Sequence, residues 1–405
     1  MLGMLPNGPE TKTNSSSGRP SLPQLGLAFL KIGAIAFGGG MAIIAMMERE
    51  VVRHRRWLSA EEFLHGVGLG QVLGPFAVNT AFFTGYRLQG PVGALLSMGA
   101  FGAPSMVLVL VLSWLYFTYH AIPALQGALL GAGPVVIALV ISAAWSVGRK
   151  AVQTFPAVAL ATAALLGALY GINAVYILVG AGVAGVLLGK KRIAKPGSPP
   201  GSGVKADPPL GTGRQGLSGY AGMLLAPGLP AAGVSLVVLG FTFLKVGLIF
   251  FGGGYVLVPL LYQRLVVELA WLSPQEFLDG VVISNLTPGP ISVLATFVGY
   301  RFQGVAGALV ATGALYLPAT ALMFVLCYGY GRLRGGVHFQ NFLAGVTPAL
   351  VGLILSAAVF LGRGTLVSWQ AALLAMLACV LLVRNWPPAV VLAIGALLGV
   401  LKLLA

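Results

Sequence analysis

FLKIGAIAFGGG, Phe29 to Gly40, returns as FLKVGLIFFGGG, Phe243 to Gly254, with nine of twelve letters identical. The offset is 214 residues (243 − 29). It also pairs Trp57-Leu58-Ser59 with Trp271-Leu272-Ser273 and Gly85-Tyr86-Arg87 with Gly299-Tyr300-Arg301. Pro104 falls on Pro318, Pro134 on Pro348, and Gly148-Arg149 on Gly362-Arg363. One register through both halves means an internal duplication.

What is duplicated is a membrane unit. The 405 residues are 58% hydrophobic and 8% charged, against roughly 25% charged in a soluble domain. Apolar runs reach the roughly 20 residues that cross a bilayer as helix. Six such segments are read in the first half: Pro23–Met47, Phe63–Tyr86, Pro91–Tyr119, Ile122–Val147, Phe155–Tyr170 and Ile172–Gly189. The expected fold is an all-α polytopic membrane protein. Residues 1–21 read as a disordered tail, 22–189 as the first membrane repeat, 190–233 as a flexible Pro/Gly-rich linker, and 234–405 as the second repeat.

The net charge of +15 does not point to nucleic acid. Basic residues cluster between apolar runs, as at Arg53, Arg55 and Arg56, which is the positive-inside pattern. If Phe63–Tyr86 is a re-entrant hairpin, the clusters at Arg53, Arg87, Arg149 and Lys190 fall on one side. Each half then crosses an odd number of times, and the two are inverted-topology repeats. Cys327 and Cys379 suggest neither disulfide nor metal site, and the four histidines have no ligand spacing. No cofactor is expected.

Broken backbone is tolerated in a membrane only where protein buries it or a cavity receives it. GQVLGPFAVNT, Gly70 to Thr80, and SNLTPGPISV, Ser284 to Val293, carry helix-breaking Pro and Gly among polar letters. Each reads as a broken helix whose N–H groups bind an anion, or as a plain kinked span. The candidate binding residues here are Gln71, Gly74, Pro75 and Asn79, and Asn285, Thr287, Pro288, Gly289 and Pro290. Three consecutive glycines favour local unwinding over close packing. This adds Phe37, Gly38, Gly39 and Gly40, and Gly252, Gly253 and Gly254. Lys31 and Lys245 lie about 12 Å into their segments, either snorkelling to the headgroups or facing the cavity. Arg87 and Arg301 read as interfacial anchors or anion gates. Glu62, His65, Glu276 and Asp279 sit at the hairpin mouths, positioned to exchange protons or to pair with those arginines.

At these words the chain resembles the chromate ion transporter family of prokaryotes. The FGG word stands at Phe37-Gly38-Gly39 and Phe251-Gly252-Gly253, and the PGP word at Pro288-Gly289-Pro290. The first half departs from it with Leu73-Gly74-Pro75. The resemblance implies duplicated domains of opposed topology and secondary active chromate efflux across the inner (plasma) membrane by alternating access, with sulfate as a related substrate. The partners it implies are a small inorganic oxyanion and the lipid bilayer, with a homodimer left open. No G-x-x-x-x-G-K-[ST] word is present, and the spans offer no nucleophile with a base, metal cluster or carboxylate pair. A transporter is therefore expected rather than an enzyme, with an anion channel on the same scaffold as the other reading.

Overall fold

The computed structural model describes residues 20–36, 40–72, 74–119, 122–188, 233–250, 254–328, 337–384 and 386–404. Residues 1–19 of the tail, residues 190–232 of the linker and the FGG words lie outside the described residues, whereas Pro20 and Ser21, read as the end of the tail, lead directly into α1. The first half contains α1 (Leu22–Ile35), α2 (Gly40–Glu48), α3 (Ala60–Val72), α4 (Phe76–Tyr119), α5 (Pro123–Ala151), α6 (Phe155–Leu169) and α7 (Ala174–Leu188). The second contains α8 (Leu236–Ile249), α9 (Leu257–Tyr262), α10 (Pro274–Leu286), α11 (Leu294–Tyr328), α12 (Val337–Thr365), α13 (Trp369–Val383) and α14 (Pro388–Leu404). A π-helical turn follows α2 at Arg49–His54 and α9 at Gln263–Glu268. The 214-residue offset carries α1 onto α8, α3 onto α10, α5 onto α12 and α6 onto α13, end to end.

The first apolar segment, read from sequence as one span, is two helices. α1 begins with Ser21 as N-cap, its side chain exchanging hydrogen bonds with Gln24 in a capping box. It stops at Ile35, where Ala36 leaves helical geometry (φ −78, ψ 73). The second segment is a hairpin. α3 spans 13 residues, about 20 Å, short of the roughly 30 Å hydrocarbon core. The chain turns at Gly74-Pro75 and comes back along the first arm of α4. Antiparallel pairing is visible in Gly66 against Phe83 and Glu62 ion-paired with Arg87.

α4 is not one rod. Gln89 (φ −138, ψ 20) and Gly90 (φ 65, ψ −155) break it before Pro91, and the backbones of Gly85 and Gly93 touch across the bend. The second arm, from Pro91, runs alongside α1: Gln89 donates to the Pro20 carbonyl, and Gly33 seats on the backbone of Phe101. Only five residues separate His54 from Ala60, at most about 20 Å of chain. The start of α1, the end of the π-helical turn and the hairpin mouth therefore share one side. α11 repeats the design with Gln303 (φ −139) and Gly304 (φ 56), and Gln303 donates to the Val234 carbonyl at 2.8 Å.

Segments Phe76–Tyr119, Pro123–Arg149, Ile291–Tyr328 and Ala344–Thr365 are long and apolar enough to cross a membrane. The equivalent helices α5 and α12 run antiparallel, with Gly133 against Thr365 and Gly148 against Val351. α7 also packs closely on α12, with Gly182 against Phe342 and Gly185 against Asn341 and Gly345. Each hairpin lies on the other half's long helix. Phe82 and Tyr86 meet Phe324 of α11, and Phe297 and Tyr300 meet Tyr116 and Phe117 of α4. The halves are interleaved rather than side by side.

Candidate functional site

The two hairpin tips meet at the centre. Gly74 (φ +87) and Gly289 (φ +104) both adopt the left-handed geometry that L side chains rarely accept. The Gly289 N–H donates to the carbonyl of Ala36 at 2.8 Å, where α1 ends. Gly74 lies against the carbonyl of Phe250, where α8 ends. Ala36 and Phe250 are equivalent positions (250 − 36 = 214). Each tip therefore docks on the broken helix end of the opposite half. Ser105 of α4 also donates to the Pro288 carbonyl.

A cavity of about 70 Å³ opens between the tips, lined by both halves. The first half supplies Ile43, Pro75, Phe76 and Ala77. The second supplies Gly254, Tyr255, Ser284, Asn285, Thr287, Gly289, Pro290, Ile291, Ser292 and Pro388. Helix starts converge on it: α4 at Phe76, the 3₁₀ turn Gly254–Val256 leading into α9, the 3₁₀ turn Ile291–Val293 leading into α11, and α14 at Pro388. Such starts present N–H groups that lack helical acceptors, and the positive end of the dipole; α14 contributes only the dipole, because Pro388 has no N–H and those of Val390 and Val391 bond to the Pro387 carbonyl. None of these lining side chains is charged. The glycine and proline of each tip explain the local fold, because neither continues a helix through the turn.

The polar side chains are held in place. Tyr255 donates to Asn285 Oδ1 at 3.0 Å, and Asn285 Nδ2 donates to the Val281 carbonyl at 2.8 Å. An amide nitrogen carries two donors, so Asn285 has one N–H beyond that bond. Ser292 and Tyr316 share a hydrogen bond at 2.8 Å, which commits one of their two protons. Thr287 and Ser284 bond back to the carbonyls of Ser284 and Gly280. The arrangement can accept an anion on backbone N–H groups, one amide and one hydroxyl without rebuilding the cavity wall.

Sequence reasoning placed Gly74, Pro75, Gly254, Asn285, Thr287, Pro288, Gly289 and Pro290 at one locus, and the structure brings them together. Asn79 is buried one turn above the first tip, its N–H bonded to the Pro75 carbonyl. Gly40 opens α2, and Gln71 lies in the last turn of α3. Phe37, Gly38, Gly39, Gly252 and Gly253 lie outside the described residues. The lysines do not line the central cavity. Lys31 is exposed on α1, near enough to Glu50 for its charge to act there. The Glu50 carboxyl is held below the ordinary carboxylate range, first by a hydrogen bond from Arg55 and further by the charges of Arg55 and Lys31. Lys245 sits over the Phe241 ring at 4.6 Å and lines a separate cavity.

At the mouths, Arg87 bonds Glu62 and Arg301 bonds Glu276 at 2.7 Å. The hydrogen bond from Arg87 lowers the Glu62 carboxyl below its usual range. His65 is exposed. Its counterpart Asp279 is buried and accepts from Tyr116 at 2.8 Å and from Gln275 at 2.9 Å. Tyr255, Tyr316, Ser105 and Tyr116 were not singled out from sequence. Tyr116 and Tyr316 are hydroxyls in apolar spans, which is a signal, but their partners lie on other helices.

The class of protein is thus a duplicated, multi-pass helical membrane protein with a hairpin-tip cavity between its halves. The chromate transporter family model matches residues 23–186 and again 237–400. The chain is 32% identical to a probable chromate transport protein of Synechococcus elongatus, covering 94% of this chain and 95% of that one. It is 30% identical to the chromate transport protein of Cupriavidus metallidurans (90% and 88% covered) and 32% identical to that of Pseudomonas aeruginosa (85% and 82%). No solved structure matches. The chain belongs to the chromate transporter family.

Proposed function

We propose that this protein is a secondary transporter that exports chromate from the cytoplasm, taking the oxyanion in the cavity between the hairpin tips. The observation that carries the reading is the convergence of helix starts and uncharged donors from both halves on one cavity. A tetrahedral dianion in a low-dielectric setting needs donors in number, since leaving it bare is very costly. Broken helices whose N-termini face an anionic substrate at the midplane are a recurring transporter solution. The relatives named for chromate transport support the choice of ion.

Alternating access follows from interleaved, inverted halves, and the antiparallel run of α5 and α12 supports inversion. That support does not come from counting crossings, because α1 and α2 enter and return. Rocking one hairpin against the opposite long helix would open the cavity to either side in turn. The test is oxyanion exchange in proteoliposomes with chromate, sulfate and phosphate compared. Chromate flux that depends on a counter-gradient is expected. Flux with no such dependence would indicate a channel, and absence of chromate flux would overturn the reading.

A further inference from the structure

We infer that Asp279 is a proton site linked to the central cavity, taking up a proton as the oxyanion binds. Asp279 lies on α10 and is 5% exposed. Its Oδ2 accepts from the Tyr116 hydroxyl of the other half at 2.8 Å, and its Oδ1 from Gln275 Nε2 at 2.9 Å. Both donors are neutral. A buried carboxylate without a countercharge is costly, and a proton removes that cost. Among the described residues, the charges on the elements that pack against α10 are committed elsewhere. Glu276, one turn before Asp279, pairs with Arg301 of α11 at 2.7 Å, and that guanidinium lies over Phe117 of α4. α9 brings Tyr262 against Phe277, and the Arg363 guanidinium of α12 lies over Phe360. α5 meets α10 where Gly133 faces Leu278. Its first charge, Arg149, is 16 residues further on (149 − 133), about 24 Å along a helix. Lys402 of α14 bonds Gln370, and the 3₁₀ turn Ile291–Val293 has no titratable side chain.

One helix joins this carboxyl to the cavity. Asn285, which lines the cavity, follows Asp279 by six residues on α10, about 9 Å. A dianion at one end and a carboxylate at the other repel through protein, where charges are screened far less than in water. A proton on Asp279 therefore strengthens oxyanion binding, and the oxyanion strengthens proton binding by the same factor. The proton comes from the hairpin mouth, where Gln275 is exposed. A hydronium there gives its proton to a carboxylate oxygen and becomes water. The first half has His65 at the equivalent position (279 − 214), and it is exposed. The linkage thus belongs to the second half, which also supplies the polar side chains of the cavity. The coupling rests on the proposed transport function; the proton site itself does not.

The test uses the full chain in nanodiscs and radiolabelled sulfate, which keeps its charge over the range where chromate itself takes up a proton. Sulfate affinity is measured from above neutral pH down to the ordinary carboxylate range, and infrared difference spectra read the carboxylic C=O band. Wild-type affinity should rise about tenfold or more as pH falls. Asp279→Asn should hold affinity at that tight level at every pH. A protonated-carboxyl band should grow when sulfate is added to wild type and be missing in Asp279→Asn. Tyr116→Phe removes a donor that favours the charged carboxylate, so it should move the rise to higher pH; it reads the site even if Asp279→Asn misfolds. A wild-type pH slope retained in Asp279→Asn, or no band assignable to Asp279, would overturn the proton site. Sulfate binding without pH dependence would overturn the coupling and leave the transport reading standing. A titrating Asp279 band with neither sulfate nor chromate bound at any pH would overturn the transport reading and the coupling together, and leave the proton site.

Discussion

The N–H of Gly289 donates to the carbonyl of Ala36 at 2.8 Å, joining the tip of the second hairpin to the end of the first helix of the other half. A Cβ at Gly289 would strike the Ser105 hydroxyl, and one at Gly74 would strike the Phe250 carbonyl. Both glycines also hold positive φ. Gly74→Ala and Gly289→Ala should therefore each lower the melting temperature of the purified protein. The backbone term alone is about 1–2 kcal/mol, and the contacts add to it. Gly74→Ala should cost more, because a backbone carbonyl cannot swing away as a serine hydroxyl can. Wild-type melting of Gly74→Ala would show that the tip is not pinned.

Asn285 is the central amide with a donor to spare. Asn285→Ala should weaken oxyanion binding by roughly 10- to 100-fold, as expected for a lost hydrogen bond to a charged group. Tyr255→Phe removes only the bond that orients Asn285 and should cost less. Equilibrium binding on both folded variants gives the order, and the reverse order would move the ligand contact to Tyr255.

Tyr116 of α4 and Asp279 of α10 tie the halves together at 2.8 Å. Tyr116→Phe removes one donor from the buried Asp279 and keeps the bond from Gln275. The expected loss is about 1–3 kcal/mol of stability. A double-mutant cycle of Tyr116→Phe with Asp279→Asn should show coupling; additive effects would mean the bond does not hold the halves.

The Glu62 carboxyl is lowered chiefly by its hydrogen bond from Arg87. A lowered folded-state value gives stability that is present above the unfolded value and is lost as pH falls through the folded one. The wild-type pair should therefore hold at neutral pH and down through the ordinary carboxylate range, failing only below it. In Arg87→Gln the acid-induced loss at this position should start at higher pH. Melting temperature against pH, compared for the two proteins, reads the shift. Superimposable acid limbs would show that the pair adds nothing to folding.

Arg53 and Val267 are equivalent (267 − 53 = 214), and both are exposed. With Cys327 and Cys379 replaced, Arg53→Cys and Val267→Cys should react with an impermeant maleimide from opposite faces. Labelling of both from one side would rule out inversion.

The duplication, the helical membrane class and the positions of the breaks were determined by the sequence itself. Repeats, apolar length and proline or glycine breaks act locally, so Gly74-Pro75 and Pro288-Gly289-Pro290 could be marked as tips before any contact was known. The mouth arginines and carboxylates were also legible, because a repeated hairpin sets their separation. Tertiary structure alone decided where the cations go. Depth along a helix places Lys31 and Lys245 in the membrane but does not say which face they occupy, and neither lines the central cavity. It also decided that α1 and α2 enter and return, which apolar length could not reveal. Finally, it decided that each tip docks on the opposite half. Ala36 and Gly289 lie 253 residues apart (289 − 36), and only packing of the whole chain brings one carbonyl to one N–H.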